Sequence, residues 1–214
     1  MTSVIKLIRG GFAGKSIGRV LFNDMVEHSC AGMRGRVLDL AGGASPGYLA
    51  VLPRGIDLVR TNRVASDGVG RIDFNRPLPF EDASFDAVLL FNAIYIADDP
   101  ALLMREIVRI LKSGGALYMS SPFIANEMPE PHDYVRFTAE GLERLCRGAG
   151  FSRASIARVG ERASAAMALL GPFFLFNIIR GLVYPWVILF DKLVPARVRK
   201  EHPCPMFYFI VCRK

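Results

Sequence analysis

Residues 37–47, VLDLAGGASPG, are the stretch that decides the fold of this chain. Three apolar residues surround a single acid, Asp39, and a run of small residues follows at once. This pattern predicts a buried first strand over residues 37–40 that ends in a tight loop, where the backbone approaches a ligand closely. An acid beside such a loop suits a cation, or the amino group or hydroxyls of a ligand.

The loop does not match two common nucleotide-binding patterns. A phosphate-binding loop of the Walker type would end in Gly-Lys followed by Ser or Thr, which is absent here. A dinucleotide fingerprint needs Gly-x-Gly-x-x-Gly, and Gly42, Gly43 and Gly47 do not fit that spacing. The loop spacing therefore argues against a nicotinamide-dependent dehydrogenase.

The same loop resembles motif I of the class I S-adenosylmethionine-dependent methyltransferases, whose core is Asp-x-Gly-x-Gly-x-Gly. Asp39 matches the acid and Gly43 matches the central glycine. Ala41 and Ser45 stand where the family has its outer glycines. The cofactor-binding residues that the resemblance implies in this loop are Asp39, Ala41, Gly42 and Gly43.

A second resemblance lies in residues 71–100, RIDFNRPLPFEDASFDAVLLFNAIYIADDP. The pattern Asp-x5-Pro-Phe-x4-Phe-Asp-x-Val is similar to that of the methyltransferase type 11 family. The resemblance implies that Asp73 accepts a hydrogen bond from the adenine amino group and that the backbone of Phe74 contacts the adenine ring. Asn92, directly after the apolar run 87–91, is predicted to belong to the same cofactor site.

Two places depart from the family's pattern. Asn62, 23 residues after Asp39, stands where the family usually carries the acid that binds both ribose hydroxyls. Its amide can donate and accept hydrogen bonds but lacks the charge of a carboxylate, so it is either a cofactor-binding residue or a turn residue. Tyr95 and Ile96 replace a Glu-His pair that the family often has after the fourth strand.

A polar loop, residues 122–137, follows the predicted fifth strand, and open α/β sheets place their substrates at this edge. The family often has a similar His-Asp-Tyr-x-Arg string there. We predict His132 as a base, with Asp133 and Tyr134 beside it, for an acceptor that must lose a proton. The alternative is a loop pinned by an Asp/His pair and by an ion pair to Arg136.

Local signals also predict helix boundaries. Asp99 and Pro100 suit the N-cap and first position of a helix, and residues 112–115 suit its end. Thr138 is expected to cap a helix over residues 139–149, which ends at Gly150. Apolar residues at helical spacing within residues 17–30 predict a further helix before the first strand.

Composition and charge limit the environment of the protein. The four cysteines form no Cys-x-x-Cys pair, which argues against a zinc site and fits a reducing, cytoplasmic compartment; no secretory signal is expected either. Residues 1–143 hold 15 Lys and Arg against 17 Asp and Glu, whereas residues 144–214 hold 12 against 3. The basic final third indicates a membrane surface, an anionic substrate or a solvated basic face, and no nucleic-acid motif accompanies it.

An apolar segment separates the last two predicted strands, residues 155–159 and 207–213, which form a hairpin in the family. Between residues 163 and 190 the only charge is Arg180. Apolar helices that contain Trp186 and Tyr184 and are followed by basic residues suit an anchor in the membrane interface. A lid over the substrate and a dimer face are the alternatives, and Arg180 and two prolines disfavour a single spanning helix.

The resemblance implies an α/β Rossmann-like domain with a seven-stranded sheet of order 3-2-1-4-5-7-6. Residues 1–162 form its body, 163–203 are inserted helices, and 204–214 supply the last strand. The resemblance implies methyl transfer from S-adenosylmethionine to an unidentified small-molecule or lipid-like acceptor, without a metal. We expect a protein at the inner face of the membrane, with a homodimer as an option. The alternative function is a degenerate methyltransferase fold that acts as a membrane-associated interaction module.

Overall fold

The computed structural model describes residues 2–43, 46–62, 66–129 and 132–214. Ser45, which stands at an outer glycine of the motif, lies outside the described residues. The strands are β1 (Arg36–Asp39), β2 (Asp57–Asn62), β3 (Gly70–Arg71), β4 (Phe85–Phe91), β5 (Leu111–Pro122), β6 (Arg153–Val159) and β7 (Phe207–Arg213). The α-helices are α1 (Val4–Phe12), α2 (Ile17–Ser29), α3 (Pro100–Ile110), α4 (Ala139–Ala149), α5 (Arg162–Leu169), α6 (Asn177–Leu193) and α7 (Ala196–Glu201).

The seven strands form one sheet of order β3-β2-β1-β4-β5-β7-β6, which confirms the order predicted from the sequence. β1 pairs in parallel with β2 and with β4, and β4 pairs in parallel with β5. In β4 every residue except Asp86 is buried, as expected for a central parallel strand that is covered on both faces. The carboxyl ends of β1, β2 and β4 therefore lie at one edge of the sheet.

The predicted helix caps are present. The Asp99 side chain accepts a hydrogen bond from the Leu102 amide at 2.9 Å, and Thr138 accepts one from the Gly141 amide at 3.1 Å. α4 ends at Gly150, whose φ of 102° is left-handed. The prediction that residues 112–115 end α3 is wrong by a few residues, because Leu111 is already extended and β5 begins there.

The chain divides into two compact units. We call Met1–Met25, Phe123–Asn126 and Arg158–Phe207 the helical unit, and Val26–Pro122, Glu127–Ala157 and Tyr208–Lys214 the sheet unit. The sequence placed residues 1–25 with the methyltransferase domain, whereas in the structure they group with the inserted helices. The reason lies in α1, which the sequence did not predict and which packs against α6.

Glycines allow α1 and α6 to approach closely. A Cβ atom added at Gly11 would lie 2.5 Å from the backbone nitrogen of Gly181, a separation that real Cβ atoms do not show. The Tyr184 hydroxyl donates a hydrogen bond to the Lys15 carbonyl at 3.0 Å, and Arg180 donates one to the Gly14 carbonyl at 3.0 Å. These contacts bind the two helices into one structure.

The structure corrects one sequence prediction in the helical unit. Tyr184, predicted to face a membrane interface, is only 2% exposed, and its hydroxyl binds the Lys15 carbonyl that follows α1. Trp186 is 62% exposed. None of the described helices is both long enough and apolar enough to cross a membrane.

Candidate functional site

Asp39 is the residue around which the site at the end of β1 is built. It is fully buried, and its Oδ2 atom accepts a hydrogen bond from the Tyr48 hydroxyl at 2.7 Å. Its Oδ1 atom is buried without a hydrogen-bond partner among the described residues. Because buried polar atoms are nearly always satisfied, this oxygen is a candidate acceptor for a ligand.

Burial changes the titration of Asp39. Loss of hydration raises the pKa of the Asp39 carboxyl to about 6. The Tyr48 hydroxyl, the Ala41 backbone N–H and the positive charge of Arg60 act in the opposite direction and limit the rise. A cationic ligand group beside Oδ1 would lower the pKa again and keep the carboxylate ionised.

The loop after β1 needs glycine for two different reasons. A Cβ atom at Gly42 would lie 2.0 Å from Oδ2 of Asp39, so only glycine fits beneath the carboxylate. Gly43 has a left-handed φ of 59°, which other residues rarely adopt. The position of a Cβ at Gly43 is 3.7 Å from Nδ2 of Asn62, so the end of β2 meets this loop as the sequence predicts.

Asp73 and Phe74 lie at a neighbouring cavity of about 210 Å³. Asp73 is exposed, and its Oδ1 atom accepts a hydrogen bond from the Asn75 amide at 3.0 Å. The residues that line the cavity are Arg71, Ile72, Asp73, Phe74, Asn75, Ile96 and His132. Three apolar residues beside a carboxylate acceptor suit a flat heterocycle that carries an amino group.

Asn92 is held rigidly at the end of β4. Its backbone N–H donates hydrogen bonds to the Ser120 carbonyl at 3.1 Å and to the Ser120 hydroxyl at 3.0 Å. Its side-chain Oδ1 atom accepts a hydrogen bond from that hydroxyl at 2.9 Å. Its φ of 50° is left-handed, which is uncommon for a residue other than glycine. Such backbone strain is concentrated at functional sites, and Asn92 directly follows the carboxyl end of β4.

The loop residues His132, Asp133 and Tyr134 have three different environments. His132 lines the Asp73 cavity, so it lies beside two of the predicted cofactor residues. Both carboxylate oxygens of Asp133 bind the Arg136 guanidinium, and one also accepts a hydrogen bond from the Met128 amide at 2.9 Å. The Arg136 guanidinium lowers the pKa of Asp133, which makes this carboxylate an anchor of the loop. The Tyr134 ring, 51% exposed, stacks on His132 with 5.1 Å between ring centroids.

Tyr95 has a role that the sequence did not reveal. Its carbonyl accepts a hydrogen bond from the Tyr134 amide at 3.0 Å, and the Arg136 guanidinium lies 5.3 Å from its ring centroid. Its hydroxyl donates a hydrogen bond to Sδ of Met128 at 3.6 Å. Tyr95 therefore fastens the loop after β5 to the end of β4. In the sequence, Tyr95 stood out only because it and Ile96 replace the family's Glu-His pair. No short-range signal links Tyr95 to Met128, Tyr134 and Arg136, which lie 33–41 positions later in the chain.

The described residues fit S-adenosylmethionine. The orphan oxygen of Asp39 can accept from an ammonium group, the Gly42 backbone leaves room beside it, and the Asp73 cavity can accept an adenine ring. Within the described part of the chain, no group of three or more His, Cys, Asp or Glu residues is placed to hold a metal ion.

Comparison with known proteins agrees with this geometry. Residues 53–119 match the family model of the methyltransferase domain. The chain is 28% identical over 86 residues to the O-methyltransferase rstn1 of Aspergillus nomiae and 30% identical over 84 residues to the O-methyltransferase resE of Aspergillus sclerotiorum. These matches cover 38% and 35% of this chain and only 38% and 32% of the curated relatives.

The fold has many solved counterparts. A SAM-dependent methyltransferase from Thermotoga maritima, described as a possible histamine N-methyltransferase, superposes with a TM-score of 0.57 at 17% identity. The match covers 91% of this chain and 89% of that protein. The fold predicted from the sequence is confirmed by this superposition, and residues 53–119 are similar to the methyltransferase domain.

Proposed function

We propose that this chain, which has the fold of the class I methyltransferases, catalyses methyl transfer from S-adenosylmethionine to a small-molecule acceptor. The observation that carries the proposal is the buried Asp39, whose Oδ1 atom has no partner among the described residues and lies beside a loop in which Gly42 leaves no room for a side chain. An isolated buried carboxylate oxygen costs folding free energy unless a ligand satisfies it. A polar cofactor that binds there supplies that compensation.

Different residues bind different parts of the cofactor. Asp39 accepts from the amino group, Asn62 binds the ribose hydroxyls, and Asp73 with the backbone of Phe74 binds the adenine. Ala41, Gly42 and Gly43 provide the close backbone surface, and Asn92 supports the edge of the site at the end of β4. When bound, S-adenosylmethionine supplies an electrophilic methyl group on a sulfonium. The chain's main contribution is to hold donor and acceptor in line and to exclude water.

The loop after β5 supplies the group that accepts a proton. We propose that His132 accepts the proton of an acceptor hydroxyl as the new bond forms, because it is the loop side chain that lines the cavity and an imidazole nitrogen can serve as a general base. Asp133, bound to Arg136, positions the loop. Tyr134 holds the imidazole plane by stacking against it.

The chemical class of the acceptor is a finer proposal. The fungal relatives are named O-methyltransferases, which favours an oxygen nucleophile. The exposed apolar side chains of α6 favour a lipid-like acceptor and a protein at the inner face of the membrane. A homodimer through the same helices is the competing use of that surface.

A second candidate function rests on Asn62. The family's ribose-binding acid is absent at this position, and the amide makes a weaker contact with hydroxyls than a carboxylate does. A chain that has lost cofactor affinity would act as a membrane-associated interaction module. The two functions differ in whether the folded chain binds the cofactor.

Thermal unfolding with S-adenosylhomocysteine tests the proposal. A ligand that binds only the folded state raises its stability, by about 2.7 kcal/mol at one hundred times the dissociation constant. We expect a concentration-dependent rise in Tm for the wild type and a smaller rise for Asp39→Asn. The absence of any rise at saturating ligand would favour the interaction module.

Turnover is tested separately. Radiolabelled S-adenosylmethionine is incubated with the protein and with separate pools of hydroxylated small molecules and membrane lipids. Label is expected in an extractable product, and His132→Ala should lower the turnover rate more than it lowers cofactor affinity. An equal loss of turnover and affinity would remove His132 from the proton-transfer role and leave it as a cofactor contact.

A further inference from the structure

Exposed large apolar side chains are concentrated in the helical unit. Sixteen such side chains occur among the described residues, and fifteen of them belong to this unit. Tyr134 of the candidate site is the exception. Soluble proteins commonly expose single apolar residues but rarely expose them in one cluster, so this distribution indicates a surface with a partner.

One side of α6 carries seven of these residues. Its exposed positions recur at intervals of three and four, which is the period of a helix face: Ile178, Ile179, Leu182, Trp186, Leu189, Phe190 and Leu193. Its buried positions, Gly181, Tyr184, Val187 and Asp191, lie between them. Packing within the helical unit therefore explains the buried side of α6 but leaves the other side uncovered.

The segment before α6 extends the same apolar surface. Phe173 is 80% exposed and Leu175 is 77% exposed. The exposed apolar residues of this segment are Leu169, Leu170, Phe173, Leu175 and Phe176. We call these five residues, together with the seven exposed residues of α6, the apolar face.

The charge of the protein has the same distribution. The helical unit contains eleven Lys and Arg against four Asp and Glu, a balance of +7, whereas the sheet unit contains sixteen of each. The whole net charge of the chain therefore lies in the unit that bears the apolar face. At the end of α6 and in α7, four basic side chains are exposed within ten residues: Lys192, Arg197, Arg199 and Lys200.

We infer that the apolar face docks on the surface of an anionic lipid bilayer, with α6 lying in the plane of the headgroups. Apolar burial at the headgroup boundary supplies one part of the affinity, and attraction between the basic residues and anionic lipids supplies the other. Trp186 lies among aliphatic residues on this face, as aromatic residues do in membrane interfaces. Because the opposite side of α6 is packed on α1, only one side can enter the lipid.

Charge favours a membrane over a second copy of the chain. Two copies joined through this surface would bring two units of +7 together, and like charges repel. An anionic bilayer neutralises the same charge. The inference does not depend on the proposed methyl transfer, since its residues all belong to the helical unit and the candidate cofactor site belongs to the sheet unit.

Trp186 is the single tryptophan of the chain and reports docking directly. The full chain is titrated with vesicles of phosphatidylcholine alone and of phosphatidylcholine mixed with phosphatidylglycerol. We expect a blue shift of the emission with the mixed vesicles and protection of Trp186 from a soluble quencher. Affinity should fall with ionic strength without vanishing, because salt screens the charge contribution but not apolar burial.

Matched variants separate the two contributions. The triple charge reversal Lys192→Glu, Arg199→Glu and Lys200→Glu should lower partitioning into mixed vesicles by roughly a hundredfold at low salt. The control reverses three exposed arginines of the sheet unit, Arg34, Arg54 and Arg144, to Glu and should leave partitioning close to that of the wild type. Phe173→Ser with Leu175→Ser should reduce the binding that remains at high salt.

Each sample is also tested for secondary structure by circular dichroism and for S-adenosylhomocysteine affinity, so that misfolding and loss of the proposed function are recognised separately. Unchanged Trp186 emission with mixed vesicles would overturn the inference. A stable dimer that buries Trp186 without lipid would replace the membrane by a second copy. If the two charge reversals lowered partitioning equally, the attraction would be a non-specific effect of net charge. That result would also overturn the inference.

Discussion

At the scale of single residues, Asp39 is unusual because its carboxylate is buried while one oxygen lacks a partner within the described chain. A purely structural acid at this position would be expected to have both oxygens satisfied. The Tyr48 hydroxyl and the glycine at position 42 instead hold the carboxylate in place and leave Oδ1 for another group. Binding affinity is therefore the quantity most sensitive to substitution here.

Asp39→Asn should weaken S-adenosylhomocysteine binding more than Asn62→Ala does. The first change removes the negative charge that attracts the ligand's ammonium. The second removes a neutral amide at a position where the family usually has a charged acid. Calorimetric titration of both variants at one pH measures the difference. A larger loss for Asn62→Ala would show that the end of β2 contributes more to the site than we propose.

Asp73→Ala should also weaken binding, by about 1–3 kcal/mol, because it removes one acceptor for the adenine amino group. The same titration measures it. Asp67→Ala is the matched control, since Asp67 is an exposed acid outside the cavity. Equal affinities for the wild type and a folded Asp73→Ala variant would remove Asp73 from the site.

At the scale of elements, α1 and α6 pack with their backbones in close contact. Gly11 meets the backbone of Arg180 and Gly181, and backbone cannot move aside as a flexible side chain can. The helical unit therefore depends on glycine at the crossing of these two helices. The hydrogen bonds of Tyr184 and Arg180 to the turn after α1 reinforce the same contact.

Gly11→Ala should lower the free energy of unfolding by about 1–3 kcal/mol, since the added methyl group forces the two helices apart. Gly148→Ala in α4 is the control, because a Cβ there meets no atom within 4 Å. Alanine in an exposed helix should stabilise by about 0.5–1 kcal/mol. Urea unfolding followed by circular dichroism compares the two variants, and shifts of the same sign would contradict the close contact.

At the scale of the whole molecule, burial of Asp39 makes global stability depend on pH. Its pKa is raised from 3.8 to about 6 in the folded chain, so the folded state binds the proton more tightly than the unfolded state does. The stability contributed by this proton is fully present below pH 4 and is lost as the pH rises through 6. A shift of about two pKa units corresponds to roughly 3 kcal/mol.

The cofactor-free wild type should therefore lose stability between pH 4 and pH 7 relative to Asp39→Asn, whose amide does not titrate. Urea unfolding of both proteins across this range isolates the contribution of Asp39, since all other groups are shared. The variant should be the more stable protein at pH 7 while binding the cofactor less well. Parallel pH profiles would mean that Asp39 is not buried as a charged group.

The sequence by itself determined the main strands and the helix caps. These features depend on short-range information: apolar runs mark β1 and β4, Asp99 and Thr138 satisfy the first amides of their helices, and Gly150 adopts the left-handed turn that ends α4. The resemblance to the methyltransferase family implied the strand order and the motif residues Asp39, Gly43 and Asp73. Their grouping at one edge follows from the parallel topology, which places strand ends together.

Only the tertiary structure decided the features that join distant parts of the chain. α1 packs on α6 about 170 residues later, Tyr184 turns inward to bind the Lys15 carbonyl, and Tyr95 anchors the loop that carries His132. A hydrophobic pattern indicates that a residue is buried or lies at an interface, but it does not identify the residue's partner. The apolar character of residues 163–190 was therefore visible in the sequence, whereas the side of α6 left uncovered depends on which side α1 occupies.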